Sequence, residues 1–218
     1  KEGIRGSSPW LYGMSEIYGL GFSYRALTGW PRYLPITFYS DHSVAFYSAL
    51  AYHEAVNPAR IHITWSKWRS RIEAEGKQIV RIMHPWVALR RLLGPVFRFP
   101  REGTLVFIDH TPSTGDFDNY DYGSYFGSLI ERVGERGRIA LCIHANDIGK
   151  GLHRRLRAFG LPIYSLGDPR SPLFPLRFYT LVNRFELATS TLLGTHSFMS
   201  EESGTSFFLH GSAKAPNW

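Results

Sequence analysis

Short apolar runs alternate with amphipathic stretches along most of the chain, which predicts strands separated by helices. In the first half the predicted strands lie at residues 34–39, 60–65 and 77–83, with helices at residues 44–56 and 66–75. In the second half the predicted strands lie at residues 104–109, 138–143, 161–166, 188–193 and 205–209. The helices of that half are predicted at residues 122–134, 149–159, 171–185 and 198–203. This alternation favours parallel sheets covered by helices, so the predicted fold class is α/β.

Residues 92–103 interrupt the pattern. This segment carries two Pro and two Gly and has no clean hydrophobic period, which is typical of a connection between domains. We therefore expect an N-terminal domain over residues 1–97 and a C-terminal domain over residues 98–218. The Gly-, Ser- and aromatic-rich opening predicts a loop-rich region with one short element near residues 11–17.

Composition narrows the class of protein. Hydrophobic residues make up 44% of the chain and charged residues 20%, which are ordinary values for a globular protein. The single cysteine, Cys142, excludes an internal disulfide and favours a reducing compartment. No apolar run approaches the roughly 20 residues that cross a bilayer, so the expected location is cytoplasmic. The net charge of +7 indicates an anionic partner: nucleic acid, an anionic membrane surface or a phosphorylated small molecule.

Polar residues follow the predicted strands of the second half, where ligands bind in open α/β sheets. They include Asp109 and His110 after the first strand, and His144 and Asn146 after the second. A further polar turn, Gly194-Thr195-His196-Ser197, lies before the last predicted helix. Such a turn offers unpaired N–H groups and the positive end of a helix dipole to a phosphate, and Glu202 further along could accept hydrogen bonds from a ribose. The alternative is that Thr195 or Ser197 only caps the helix.

The first half supplies candidates for acid–base chemistry. Asp41 and His42 follow a predicted strand, and Glu16 lies among small and aromatic residues. If the strand ends of the two halves face each other, one of these groups could act as general base on an acceptor hydroxyl. Alternatively, Asp41 only caps the following helix and Glu16 lies in solvent.

Metal and hydrolase signatures are missing from the sequence. The histidines lie far apart, without HxxxH or HxH spacing and without a cysteine cluster, so we expect no metal site. His110 beside Asp109 and His144 near Asp147 are the weak exceptions. The sequence also contains no GxSxG, no P-loop and no GxGxxG after a strand.

Three stretches together resemble the GT-B glycosyltransferases, most closely bacterial enzymes of capsule and lipopolysaccharide biosynthesis. They are YSDHSV, HITWSKWRSRIEAEGKQIVRIMHPW and LLGTHSFMSEESGTSFFLHG. The first is similar to the His-Gly turn of that family's acceptor half, although Ser43 stands where Gly is expected. The second is similar to its WxxxR helix and following strand. The third is similar to its donor-site turn and downstream ExGxP segment, although Ser206 stands where Pro is usual.

The resemblance implies two Rossmann-like domains facing across a cleft, and transfer of a sugar from a nucleotide-sugar to a glycan or lipid-linked acceptor. It implies surface polysaccharide biosynthesis without a metal or other cofactor. The residues it places near the donor are His110, His144, Asn146, Gly194, Thr195, His196, Ser197 and Glu202. Those it places near the acceptor are Glu16, Asp41 and His42.

Two other functions fit parts of the sequence. The Arg-rich stretches 67–71 and 150–157 would suit a basic nucleic-acid-binding module, but no RRM, KH or helix-turn-helix signature accompanies them, so no nucleic acid is expected. A catalytically silent sugar- or nucleotide-binding domain is the other alternative. Residues 86–101, both basic and apolar, suggest peripheral contact with an anionic membrane at its inner face, or else a connection between domains with snorkelling Arg side chains.

Overall fold

The computed structural model describes residues 15–41, 54, 57–67, 69, 76–109, 120–134 and 138–211. The chain divides into two compact units. Unit 1 comprises Lys1–Gly94 and Pro169–Leu176, and unit 2 comprises Pro95–Asp168 and Arg177–Trp218. The sequence predicts a single boundary after residue 97, whereas this division begins unit 2 at Pro95 and returns a short later segment to unit 1.

Unit 1 contains a three-stranded parallel sheet. Its strands are β1 (Tyr39–Ser40), β2 (Ile61–Thr64) and β3 (Gln78–Arg81), hydrogen-bonded in that order. The register pairs Tyr39 with His62, and His62 with Ile79. The first strand is shorter than predicted, because Pro35 within the predicted range has no N–H to donate to a neighbouring strand.

Two helices of unit 1 were not predicted. Helix α1 (Leu20–Thr28) follows a 3-10 turn at Ile17–Gly19 and ends at Gly29, whose φ of 72° is the left-handed conformation that glycine adopts without strain. Helix α2 (Pro85–Leu92) begins after His84, whose side chain accepts a hydrogen bond from the Trp86 N–H. The two helices pack against each other. Glycines and aromatics hide the period of α1, whereas the Pro at the start of α2 was a usable signal.

Unit 2 contains a five-stranded parallel sheet, and the five predicted strands are confirmed. The strands are β4 (Thr104–Phe107), β5 (Ile139–Cys142), β6 (Ile163–Tyr164), β7 (Leu187–Ser190) and β8 (Ser206–Leu209). Their order across the sheet is β6-β5-β4-β7-β8. Every residue of β4 and β5 is buried, which is the signature of strands covered on both faces.

The helices of unit 2 alternate with its strands. They are α3 (Tyr122–Val133), α4 (Ala145–Gly149), α5 (Leu152–Leu156), most of α6 (Phe174–Val182) and α7 (Thr195–Ser203). The helix predicted at 149–159 is confirmed from Leu152 onward, since α5 continues as a 3-10 turn at Arg157–Phe159. Its predicted start is wrong, because Gly151, with a φ of 88°, separates α5 from the unpredicted helix α4.

The core of unit 2 lies between α3 and the sheet. Phe126 and Leu129 of α3 pack with Val106 and Leu141 of the central strands, and all four are buried. Cys142 is buried in β5, and burial raises the pKa of its thiol to about 12. A thiol so protonated is a poor nucleophile, which agrees with its place in an apolar run.

The α/β class with parallel sheets is therefore confirmed. Within the part of the chain that the structure describes, no helix is long and apolar enough to cross a membrane.

Candidate functional site

The strand order of unit 2 creates a switch point. From β4 the chain moves outward through β5 and β6, and it later returns to the other side of β4 for β7 and β8. Strands β4 and β7 are direct neighbours, with Val106 opposite Thr189. In open α/β sheets the connections leave such a pair of strands in opposite directions and open a crevice at their carboxyl ends, where ligands bind.

Helix α7 begins at this crevice with a reciprocally bonded turn. The Gly194 N–H donates to Ser197 Oγ over 2.8 Å, and the Ser197 N–H donates to the Gly194 carbonyl over 3.0 Å. The amides of Thr195 and His196 open the helix, where no carbonyl of a preceding helical turn can accept from them. The turn predicted as a phosphate site is thus the start of a nine-residue helix, with the positive end of its dipole at the switch point.

The His196 ring is held in one orientation beside this turn. Its Nε2 lies 2.8 Å from Ser190 Oγ, and that hydroxyl donates its proton to the Leu192 carbonyl over 2.5 Å. Because the Ser190 hydroxyl donates its proton to Leu192, the hydrogen bond between His196 and Ser190 must use a hydrogen on His196 Nε2. The ring centroid lies 5.0 Å from that of Phe107 and 5.9 Å from that of Phe207. The contact with Phe107 places the first turn of α7 at the end of β4.

Gly194 makes room for this ring. A Cβ built on Gly194 would lie 3.0 Å from His196 Cε1 and 3.2 Å from Nδ1, closer than side chains normally approach. The backbone at Gly194 is extended, with a φ of −156°, so space and not conformation favours glycine here.

Asp109 and Thr191 join the two strand ends at the switch point. The Thr191 hydroxyl donates a hydrogen bond to the Asp109 carboxylate. Burial, followed by the charge of Asp109, raises the pKa of Tyr120 to about 12, so this phenol keeps its proton at neutral pH. Of the two residues predicted at the end of this strand, His110 and not Asp109 was predicted to bind the donor. Asp109 could have been chosen from the sequence, because it is a carboxylate at the end of a buried strand.

His144 and Asn146 lie at the end of β5, beside β4. The Asn146 N–H donates to His144 Nδ1 over 3.2 Å, so His144 caps the short helix α4. Two strand spacings, about 10 Å, separate the ends of β5 and β7 on the same edge of the sheet. His144, Asn146 and the Gly194–Ser197 turn therefore share one rim, as predicted for parallel strands.

Glu202 lies on α7, seven residues after Thr195, and is therefore about 10 Å along the helix from its first turn. It is partly buried. Its neighbour Glu201 accepts a hydrogen bond from the Phe207 N–H over 2.5 Å and so ties α7 to β8. The ribose contact assigned to Glu202 stays a prediction.

Asp41 of unit 1 lies inside a buried polar network. His62 Nε2 donates to its Oδ1 over 2.9 Å and Thr64 Oγ1 donates to its Oδ2 over 2.6 Å. Arg69 lies 3.4 Å from Oδ1 and makes a second ion pair with Glu54, at 3.0 Å. Asp41 is 1% exposed, and its three partners are equally inaccessible. This geometry favours a structural role for Asp41 over contact with an acceptor hydroxyl.

His84, at the end of β3, is a buried neutral imidazole. Burial lowers its pKa from 6.5 to about 3, and its ring lies 4.2 Å from that of Trp65. Its Nδ1 accepts from the Trp86 N–H over 3.1 Å, so the side chain serves as the cap of α2.

Glu16 is held by Arg25. Two hydrogen bonds of 2.8 Å join the carboxylate to the guanidinium, which also donates to the Leu34 carbonyl. The Glu16 side chain is 45% exposed and its carboxylate is paired with Arg25, so it is not an unpaired base. His42 and His110 lie outside the described residues.

The described residues show no arrangement that is typical of a metal site or of a nucleic-acid-binding surface. Within the described ranges, no three His, Cys, Asp or Glu side chains come together as a metal site. Of the basic stretch 150–157, Arg155 lies over the Tyr122 ring and donates to the Tyr120 carbonyl, so part of this charge holds the structure together. Most of the other basic stretch, 67–71, lies outside the described residues.

Comparisons with protein-family models, curated proteins and solved structures found no match for this chain.

Proposed function

We propose that the protein is a metal-independent glycosyltransferase that moves a sugar from a nucleotide-sugar to a glycan or lipid-linked acceptor. One observation carries the nucleotide part. The start of α7, with His196 beside it, lies at the switch point of a five-stranded parallel sheet, next to the Asp109–Thr191 pair. The two-domain GT-B arrangement and a role in surface polysaccharide biosynthesis belong to this proposal.

The donor diphosphate binds at the first turn of α7. The amides of Thr195 and His196 and the helix dipole stabilise the negative charge that grows on the phosphate as the bond to the anomeric carbon breaks. His196 lines the same turn. Asp109, His144 and Asn146, along the same rim, offer hydrogen-bond partners to the nucleoside or the sugar.

Transfer requires a base that takes the proton of the acceptor hydroxyl as its oxygen bonds to the anomeric carbon. The candidates are Glu16, Asp41 and His42. Asp41 is enclosed and Glu16 is ion-paired, which favours a second function for the chain: binding of a nucleotide or nucleotide-sugar without transfer.

A thermal-shift panel with CMP, UDP and GDP tests the nucleotide part. We expect one nucleotide to raise the melting temperature, and His196→Ala to weaken its affinity about tenfold, because the ring that lines the first turn of α7 is lost. His153→Ala, on α5 of unit 2 and outside the proposed site, serves as the matched control. Absence of stabilisation by any nucleotide would refute the proposal.

Release of free nucleotide from the matching nucleotide-sugar separates the two functions. A transferase hydrolyses its donor slowly or consumes it when acceptor glycans are added, whereas a silent binder leaves it intact. Short RNA is included at two salt concentrations. Stabilisation by RNA alone, lost at high salt, would identify a nucleic-acid-binding module instead.

A further inference from the structure

One surface of unit 1 concentrates exposed apolar side chains. Thirteen large hydrophobic residues are exposed among those the structure describes, and four of them fall within eight consecutive positions. These are Leu27, Trp30, Tyr33 and Leu34, exposed to 39%, 39%, 85% and 40%. Such a cluster marks an interaction surface more often than a scattered set does. We refer to residues 27–35 as the apolar loop.

The backbone of the apolar loop is held by hydrogen bonds. The Gly29 N–H closes α1 on the Arg25 carbonyl over 2.9 Å, and the Trp30 N–H donates to Thr28 Oγ1 over 3.2 Å. The Leu34 N–H donates to the Pro31 carbonyl over 3.2 Å, and Arg25 Nη2 donates to the Leu34 carbonyl over 3.1 Å. The exposed side chains are thus presented on ordered backbone, which lowers the entropy lost when they bind.

Between residues 17 and 40 the only charged side chains are those of Arg25 and Arg32. No Asp or Glu occurs between Glu16 and Asp41, and Glu16 is already paired with Arg25. Arg32 lies exposed within the loop, and the whole chain carries a net charge of +7. Trp and Tyr settle at the boundary between lipid and water, Leu side chains insert below it, and Arg pairs with anionic headgroups. This combination fits a bilayer surface better than an acidic protein groove.

We propose that the apolar loop docks unit 1 on an anionic lipid bilayer, with Trp30, Tyr33 and the two leucines in the interface and Arg32 among the headgroups. In the segment 86–101, for which the sequence suggested membrane contact, Trp86, Val87 and Leu89 are buried while Leu92 and Val96 are exposed. Contact by that segment stays a prediction. The proposal does not depend on the transferase activity.

Sedimentation of the full chain with vesicles tests the proposal. The vesicles are phosphatidylcholine with or without phosphatidylglycerol. We expect binding that requires phosphatidylglycerol and weakens with salt. The double variant Trp30→Ala/Tyr33→Ala should bind about tenfold more weakly, because two interfacial rings are lost. Arg32→Glu should bind more weakly and respond less to salt.

Matched controls come from exposed residues of unit 2. Tyr164→Ala removes an exposed ring from an edge strand, and Arg154→Glu reverses an exposed charge on α5. Both should bind vesicles like the wild type. Melting temperatures establish that the variants fold, and Tyr33→Ser, at the most exposed position, repeats the test with the smallest structural change.

Three results would overturn the proposal. The wild type could fail to bind phosphatidylglycerol vesicles, or the double variant could bind as well as the wild type. The third is a concentration-dependent dimer in sedimentation equilibrium that Trp30→Ala dissociates, which would show that a second copy of the chain covers the apolar loop.

Discussion

The carboxyl ends of the strands are built differently in the two units. In unit 1, Asp41 is surrounded by His62, Thr64 and Arg69, and the whole group is inaccessible. In unit 2, Asp109 and His196 are only partly buried, and α7 begins at the same rim. Both ends carry a carboxylate and a histidine, but those of unit 1 are inaccessible whereas those of unit 2 are partly exposed.

Burial decides what a polar residue after a strand does. A buried charge is costly unless it is paired, and Asp41 is paired with His62, Thr64 and Arg69. We propose that at the switch point the start of α7 instead binds an anion that comes from outside.

Asp41→Ala should cost about 3–5 kcal/mol of unfolding free energy, because it leaves His62, Thr64 and Arg69 buried without their shared acceptor. Denaturant unfolding of the full chain measures this. At permissive temperature, nucleotide affinity of the folded variant should stay unchanged. A loss below about 1 kcal/mol, the usual range for an exposed ion pair, would show that Asp41 is not held in a buried network.

Acid should weaken the fold through His84. Its pKa is about 3 in the folded chain and 6.5 ordinarily, so below 6.5 the unfolded chain takes up a proton that the folded chain does not. Stability contributed by the neutral imidazole is therefore present above pH 6.5 and lost as pH falls toward 3. At about pH 5 the loss reaches about 2 kcal/mol.

His84→Asn isolates this term, since Asn can still cap α2 and does not titrate. The difference in unfolding free energy between wild type and variant should shrink or reverse on going from neutral pH to pH of about 5. An unchanged difference would mean that His84 is not the titrating group.

Gly194→Ala should weaken nucleotide binding by up to about tenfold, because the new Cβ crowds the His196 ring, which must shift by a few tenths of an ångström. Gly127→Ala is the matched control. It lies exposed in α3 with nothing near its Cβ, so it should raise stability by about 0.5–1 kcal/mol and leave affinity alone. Equal nucleotide affinity of the two variants would show that the position of the His196 ring does not affect nucleotide binding.

Glu16→Gln should change stability by less than about 1 kcal/mol, because its partner Arg25 and the carboxylate form a partly solvated pair. Chemical denaturation in low and high salt measures this. A loss of donor turnover without a loss of stability would instead support the predicted role of Glu16 as a base.

The sequence predicted the units of the fold better than their connections. Buried strands such as β4 and β5 were clear, since continuous apolar runs mark them. Helix α1 was missed because glycines and aromatics obscure its period. The break at Gly151 was missed because a left-handed glycine inside a basic amphipathic run looks like one more helical residue.

The candidate site was predictable only where it is local. The start of α7 follows from a short turn and its helix, so the Gly194–Ser197 stretch was found. The Asp109–Thr191 pair requires that β4 and β7 be neighbours although β5 and β6 come between them in the chain. The partners of Asp41 likewise depend on the register that sets His62 beside Tyr39. No local pattern encodes either pairing.

Hydrogen–deuterium exchange of the full chain, with and without the nucleotide that stabilises it most, tests the central claim. The account predicts slower exchange in peptides that cover 104–109 and 190–203, with the ends of β1 and β2 unchanged. Protection confined to residues 39–41 and 62–66, or no protection at the start of α7, would contradict it.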